Sequence, residues 1–364
     1  MSSTSLTMQR PEVVDGSGDP AGTWQSAAFR DAALGWVRDV LAARGTAVLG
    51  ALTTHRVRFW SAVLTVRTDR GTFWFKATNP GQAFEGPLLE RLGRLVPRRV
   101  VAPVAVEETR GWFLLPDCGP SVAGDIDAAG WEELVVQAAC LQREVTTYGK
   151  ELAAVGLPSL LPDHADEYAT SLVESLARLP AGHPQHLTRE EARGLLRGLA
   201  QTAPLLTELA SSGVPPTLQP NDTSPANAVR AADGPGYRFL DLGDAFWSHP
   251  FAVLQVPLRM ATGSWPGPPS TESRLRERLV RAYLEQWPQV TPGHDADRLV
   301  DVADRLASIH RAESWRRLLA HVDPARLGVP TPRLADWLAD AARPLDRTPS
   351  RAGHSTTAST GRPR

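Results

Sequence analysis

Lysine is nearly absent from this chain. Of its 39 basic residues only Lys76 and Lys150 are lysines, and arginine fills the remaining positions. Cysteine is equally scarce: Cys118 and Cys140 in 364 residues give neither a disulfide framework nor a cysteine metal cluster. Two isolated thiols fit a reducing compartment. Net charge is missing too, since 39 basic and 40 acidic residues leave a formal −1 and a pI near 6.8. A nucleic-acid protein should carry a clustered basic face, and none is expected here. There is no apolar run of bilayer-spanning length. Residues 1–22 hold no apolar stretch of signal-peptide type. The expectation is a cytoplasmic, soluble chain with neither nucleic acid nor membrane as a partner. What is present is ordinary globular composition, 42% hydrophobic and 22% charged, enough for two lobes around a sizeable core.

Against this scarcity the surroundings of Lys76 stand out. It lies in Gly71–Ala77, GTFWFKA, between Phe75 and Ala77. A compact ammonium on a flexible stem is not interchangeable with a guanidinium fork at a confined phosphate site. The competing reading is a strand lysine that lays its stem along apolar surface.

Along the chain, residues 1–22 read as a loose Ser/Thr/Gly/Pro-rich arm. Trp24, Phe29, Ala33, Trp36, Val37, Val40 and Leu41 then recur at helical spacing up to Gly45. Two β-prone runs, 56–68 and 71–77, flank the turn signal Thr68-Asp69-Arg70-Gly71. A helix is expected over about 82–95, and a hairpin turning near Glu107–Gly111. Asp117-Cys118-Gly119-Pro120 breaks the pattern and marks the junction of a β-rich first lobe, 23–119, with a helical second lobe, 120–342. Helices are expected over about 127–148, 164–179, 189–211, 249–262, 272–287, 297–320 and 331–342. Short strands are expected at Ala228–Arg230 and Tyr237–Leu240. The polar end, 343–364, reads as a disordered tail. Arg98-Arg99 and Arg316-Arg317 read as solvated faces, and His249, before Pro250, as a helix cap.

The densest motif is LQPNDTSPANAV followed by YRFLDLGDA, residues 218–229 and 237–245. Asp222 precedes Asn227 by five residues, and Asp241 follows it by fourteen. Phosphoryl transfer needs one carboxylate to orient an acceptor hydroxyl, and an amide with a second carboxylate to hold Mg²⁺ against nucleotide phosphates. Hard oxygen ligands suit that ion. Each residue alone reads equally well as a turn residue bonding its own backbone. It is their conjunction with a strand lysine that points to chemistry.

From about residue 55 to residue 260 the chain resembles the aminoglycoside phosphotransferase family, small-molecule kinases of the antibiotic- and choline-kinase type. The family pattern is H-G-D-x-x-x-x-N, then an apolar residue and D-x-G/D. The resemblance implies an α+β, bilobal protein-kinase-like fold with a small β-rich lobe and a larger, mainly helical one. It implies ATP and Mg²⁺ as cofactors and a small-molecule hydroxyl as acceptor. By it Asp222 would be the catalytic base or hydroxyl-positioning group, Asn227 and Asp241 Mg²⁺ ligands, and Lys76 the contact to the ATP α/β-phosphates. Glu85 would pair with that lysine, with Glu90 as the fallback, since spacing alone does not choose between them. Ser61 and nearby backbone would cover the phosphates, and Leu115 to Cys118 would border adenine, with Cys118 offering the donor that Pro116 lacks. Asp244 would support or brace the metal loop. The family histidine and glycine are Pro220 and Asn221 here. Proline offers no brace, whereas asparagine tolerates a left-handed backbone. Two further readings remain: a nucleotide-binding pseudokinase, and a partner-binding protein that has kept only the fold. The acceptor is open. Asp163, Asp166 and Glu167 would suit a cationic one if they converge on the site.

Overall fold

The computed structural model of the chain describes residues 11, 13, 16–124, 126–232, 234–264, 269–288, 295–327 and 331–345. Most of the expected arm and tail, residues 1–10 and 346–364, lie outside the described residues. The first helical stretch is two helices, α1 (Pro20–Gln25) and α2 (Ala27–Ala42). Ser26 breaks it, because its backbone is extended and its hydroxyl accepts from Phe29 N to cap α2. Strands β1 (Thr53–Arg58), β2 (Ser61–Thr68) and β3 (Gly71–Thr78) follow. Helix α3 (Glu85–Leu95) precedes β4 (Ala105–Glu107) and β5 (Trp112–Pro116). The five strands form one antiparallel sheet in the order β1-β2-β3-β5-β4.

Side chains alternate across a strand, and β3 uses both faces. Phe75 and Ala77 pack with Phe29, Ala33, Val37 and Leu41 of α2 and with Trp112 and Leu114. Lys76, between them, therefore points the other way, toward α3, whose Leu88, Leu89 and Leu92 belong to the main core.

Beyond β5 the chain is mainly helical: α4 (Ala128–Val145), α5 (Gly149–Ala153), α6 (Pro162–Ala177) and α7 (Arg189–Ala210). Helix α7 opens on a reciprocal cap between Thr188 and Glu191. Then come β6 (Thr217–Gln219), β7 (Ala228–Arg230), β8 (Tyr237–Phe239) and β9 (Phe246–Ser248). Strands β7 and β8 form a hairpin, and β6 pairs with β9. This second pair, three residues a strand, is too short to show a period in sequence. Four helices close the chain: α8 (Gln255–Ser264), α9 (Pro269–Leu284), α10 (Ala296–Leu319) and α11 (Leu334–Ala341).

Three expectations are corrected. The described end of the arm is packed rather than loose. A Cβ on Gly16 would lie 2.3 Å from Val322 N, and Gly18 O accepts from Asp323 N at 2.9 Å. Arg317 is not solvated: its guanidinium lies over Phe84 and Phe246, at 5.3 and 4.6 Å from the ring centroids. Its three nitrogens are buried without hydrogen-bond partners, and the ring faces supply the attraction. Arg99 is also engaged, on Glu144 at 2.6 Å and on Gln137.

His249 does cap: its Nδ1 accepts from Phe251 N at 3.3 Å, while Nε2 meets Ser212 Oγ at 3.1 Å. Burial pushes His249 down to about 3 and His310 to about 4, from an ordinary 6.5. Below pH 6.5 the unfolded chain takes up protons that these buried rings refuse. Their stability contribution is therefore full above 6.5 and lost as pH falls toward 3–4. Each ring contributes a slope of about 1.4 kcal/mol per pH unit in that window. His249→Asn keeps a capping oxygen and removes one titration. Urea unfolding at pH 7.5 and 5 should show a smaller acid loss in the variant. An equal loss in both proteins would mean that His249 is not held neutral.

Candidate active site

Lys76, Glu85, Asp222, Asn227, Asp241 and Asp244 meet between β3, α3 and the loops around the β7–β8 hairpin. Lys76 Nζ stands between two carboxylates, 2.8 Å from Glu85 Oε1 and 2.7 Å from Asp241 Oδ1. Glu90 faces away and pairs with Arg94 of its own helix at 2.9 Å. At 100° per residue, a helical position five residues on is turned by about 140°. Glu85 and Glu90 therefore could not both face the strand.

The charges are tightly coupled. Burial by itself would lower the Lys76 ammonium, but the Asp241 and Glu85 carboxylates outweigh it and raise its pKa. Burial pushes Glu85 up to about 7 against the pull of Lys76, and Asp241 and Asp244 add to the rise. Burial would likewise raise Asp241, yet Lys76 reverses this and holds it below its ordinary range. Glu85 has no exposed side-chain area, whereas Asp241 is 34% exposed and within reach of a ligand.

The loop carrying Asp222 is shaped by Asn221, whose φ of +64° is left-handed; Asp241 has φ +61°. Asparagine and aspartate are the non-glycine residues that accept this conformation most readily. The loop, where Pro220 stands in place of the histidine expected from the resemblance, is braced locally: Gln219 Oε1, fully buried at the end of β6, accepts from Asn221 N at 3.0 Å. Asn227 gives its amide nitrogen to Asp222 O at 2.9 Å and to Asp222 Oδ2 at 3.0 Å. Its amide oxygen is thereby left as the group it can offer a hard cation. Among the described residues no cluster of three or more His, Cys, Asp or Glu side chains has metal-binding geometry. An ion carried on nucleotide phosphates needs only one or two protein ligands, and the Asn227 amide oxygen and the Asp241 carboxylate are oxygen donors of the type it prefers.

Residues outside the motif join the cluster. Arg311 of α10 forks onto Asp222 Oδ1 at 2.8 Å and Asp244 Oδ2 at 3.2 Å. Asp244 also accepts from Gln82 Nε2 at 2.7 Å and from Ser314 Oγ. Burial raises the pKa of Asp222, Arg311 opposes the rise, and Asp244 and Asp241 add to it. Its side chain is 37% exposed. The sole signal in sequence was the α10 stripe Ala307, His310, Arg311, Ser314 and Leu318, where polar residues stand at core spacing.

Other candidates lie further out. Ser61 opens β2 with a buried hydroxyl that has no partner. Leu115 is half-buried on β5. Cys118 has Sγ 3.7 Å from Pro116 O, and burial pushes its thiol up, as suits a packing residue rather than a nucleophile. Asp163 and Glu167 are exposed on α6.

Neither family models nor curated sequences match the chain. Solved structures do. A choline kinase from Streptococcus pneumoniae superposes with a TM-score of 0.54 at 14% identity, over 84% of this chain and 96% of that one. Macrolide 2'-phosphotransferase type I gives 0.53 at 16% identity, over 87% and 96%. Plasmodium vivax ethanolamine kinase gives 0.53 at 12%, over 80% and 81%. The chain has the bilobal α+β fold of the aminoglycoside-phosphotransferase-like small-molecule kinases. Its structural neighbours are phosphotransferases that act on small molecules. Among the described residues no helix is long and apolar enough to cross a membrane.

Proposed function

We propose that this protein is an ATP- and Mg²⁺-dependent kinase that transfers the γ-phosphate to a hydroxyl group of a small molecule. The observation that carries the reading is the Glu85–Lys76–Asp241 ion-pair chain, set beside an Asp222–Asn227 loop within one cleft. Lys76 binds the α/β-phosphates, held in place by Glu85. Asn227, through its amide oxygen, and Asp241 hold the metal, which when bound neutralises phosphate charge. In this reading the acceptor hydroxyl lies beside Asp222. It orients that hydroxyl and accepts its proton, and the raised pKa favours this role. Adenine borders Leu115 to Gly119, where Pro116 has no N–H and the Cys118 backbone is the donor. Ser61 and the turn before β2 cover the phosphates, giving the buried hydroxyl a partner.

Most of the gain in such a site comes from positioning and charge neutralisation. Asp222 and Asp244 already share Arg311, so the two carboxylates do not form an acid-rich wall of the kind a polycationic acceptor would select. The substitution of Pro220 for histidine supports one rival, a pseudokinase that binds nucleotide without turnover. The Gln219 brace weighs against that rival because it holds the loop by another route.

Calorimetric titration of ATP into the protein, with and without Mg²⁺, tests the reading. Metal-dependent binding is expected. Absence of binding in both titrations would remove the kinase assignment and favour the partner-binding alternative.

A further inference from the structure

The turn between β1 and β2 does not stand free above the cleft. Phe59 is buried in a small core with Leu318 and Val322, and Trp60, Trp315, Leu319 and Leu327 pack around it. The rings of Phe59, Trp60 and Trp315 form a triangle with centroids 5.0 to 6.1 Å apart. A fully buried amide completes the contact: Asn79 Nδ2 donates to Phe59 O and to Leu318 O, both at 3.2 Å. The Asn79 backbone N donates to Trp60 O at 2.9 Å. Beside it the Pro80–Gln82 turn touches α10 so closely that a Cβ on Gly81 would lie 2.3 Å from Arg317 O.

The same helix holds the catalytic side. Arg311, one turn before Trp315, grips Asp222 and Asp244, and Ser314 donates to Asp244. From Arg311 to Leu318 is about 10 Å of continuous α-helix. A rigid segment of that length fixes the distance between its two attachments.

We propose that the Arg311–Leu318 segment of α10 positions the β1–β2 turn over the nucleotide phosphates and ties the turn's place to that of the Asp222 carboxylate, with Trp315 and Asn79 as the positioning residues. The functional half of this inference rests on the proposed kinase reading; the clasp itself does not. Opening the turn for nucleotide exchange then requires the Phe59–Trp60–Trp315 contact to break. The clasp thus sets the release rate of nucleotide without touching it.

Hydrogen exchange in the segment spanning residues 56–64, measured without nucleotide, tests the clasp directly. Trp315→Ala, and the milder Trp60→Ala should the first fail to fold, are expected to speed exchange there at least tenfold, a local opening rather than a global one. Unchanged exchange in a folded variant would overturn the clasp. Release of a fluorescent Mg·ADP analogue from the same variants tests the function, with at least a tenfold faster rate expected. Faster exchange with unaltered release would overturn the positioning role. Failure of the wild type to bind Mg·ADP would instead remove the kinase reading and with it the positioning role, while the exchange data still decide the clasp.

Discussion

Asp241→Asn is expected to abolish the Mg²⁺-dependent part of ATP binding, weakening it by about 100-fold or more, or about 2.8 kcal/mol at 1.4 kcal/mol per tenfold. The substitution removes a full charge from the proposed ligand of a hard dication. It leaves the shape intact, since asparagine accepts the left-handed backbone found here at φ +61°. Lys76 retains Glu85 as a partner, so the fold should persist. A second readout is independent of nucleotide. Glu85 sits at about 7 partly because Asp241 is ionised nearby. A carboxyl raised above its ordinary 4.5 contributes stability that is full below 4.5 and lost as pH rises through about 7. With Asp241 neutralised that loss should shrink, so the variant should lose less stability than wild type between pH 5 and 8. Wild-type Mg·ATP affinity in Asp241→Asn would place the metal elsewhere.

Asp222→Asn should leave Mg·ATP binding nearly unchanged and cut turnover by about 100-fold or more, the usual contribution of a positioned general base. The assay follows ADP release with a hydroxyl compound that the wild type phosphorylates. Asp222 meets two donors, Arg311 at one oxygen and Asn227 at the other. An amide has one oxygen, so the variant must turn its NH₂ toward one of those donors and lose that bond. The catalytic loss therefore combines a missing base with a loosened Arg311 contact. The pH profile distinguishes the two. If Asp222 is the base, wild-type turnover falls in acid through a pKa above the ordinary 3.8, in line with its burial, and the variant lacks that limb. Full activity in Asp222→Asn would show that another group serves the hydroxyl. Mg·ATP binding by the wild type without turnover against hydroxyl compounds of every charge class would favour the pseudokinase.

Two contacts would have been misjudged from spacing alone. Arg316 and Arg317 read as a solvated pair, yet Arg316 meets buried Glu313 at 2.6 Å and Arg317 lies between two rings. The loss of the family histidine read as a lost brace, yet Gln219 holds Asn221. The Arg317 outcome depends on rings that other segments bring to the same point, whereas the Gln219 brace is a local bond between residues two apart.

By itself the sequence determined what local physics controls. The β-prone run with a turn at Gly71 placed Lys76 on a strand, and alternation set it on the face opposite Phe75. Asparagine at 221 permitted a left-handed loop, and the Asp222, Asn227, Asp241 spacing marked a loop and hairpin. The tertiary structure alone decided which groups meet. Glu85 rather than Glu90 reaches Lys76 because of how α3 is rotated against β3. Arg311 reaches Asp222 from 89 residues away, and Leu318 meets Asn79 across 239. A helix's periodicity states which of its residues share a face, but not what that face will touch. That is set by the packing of whole elements, where burial, rather than spacing along the chain, selects the partner.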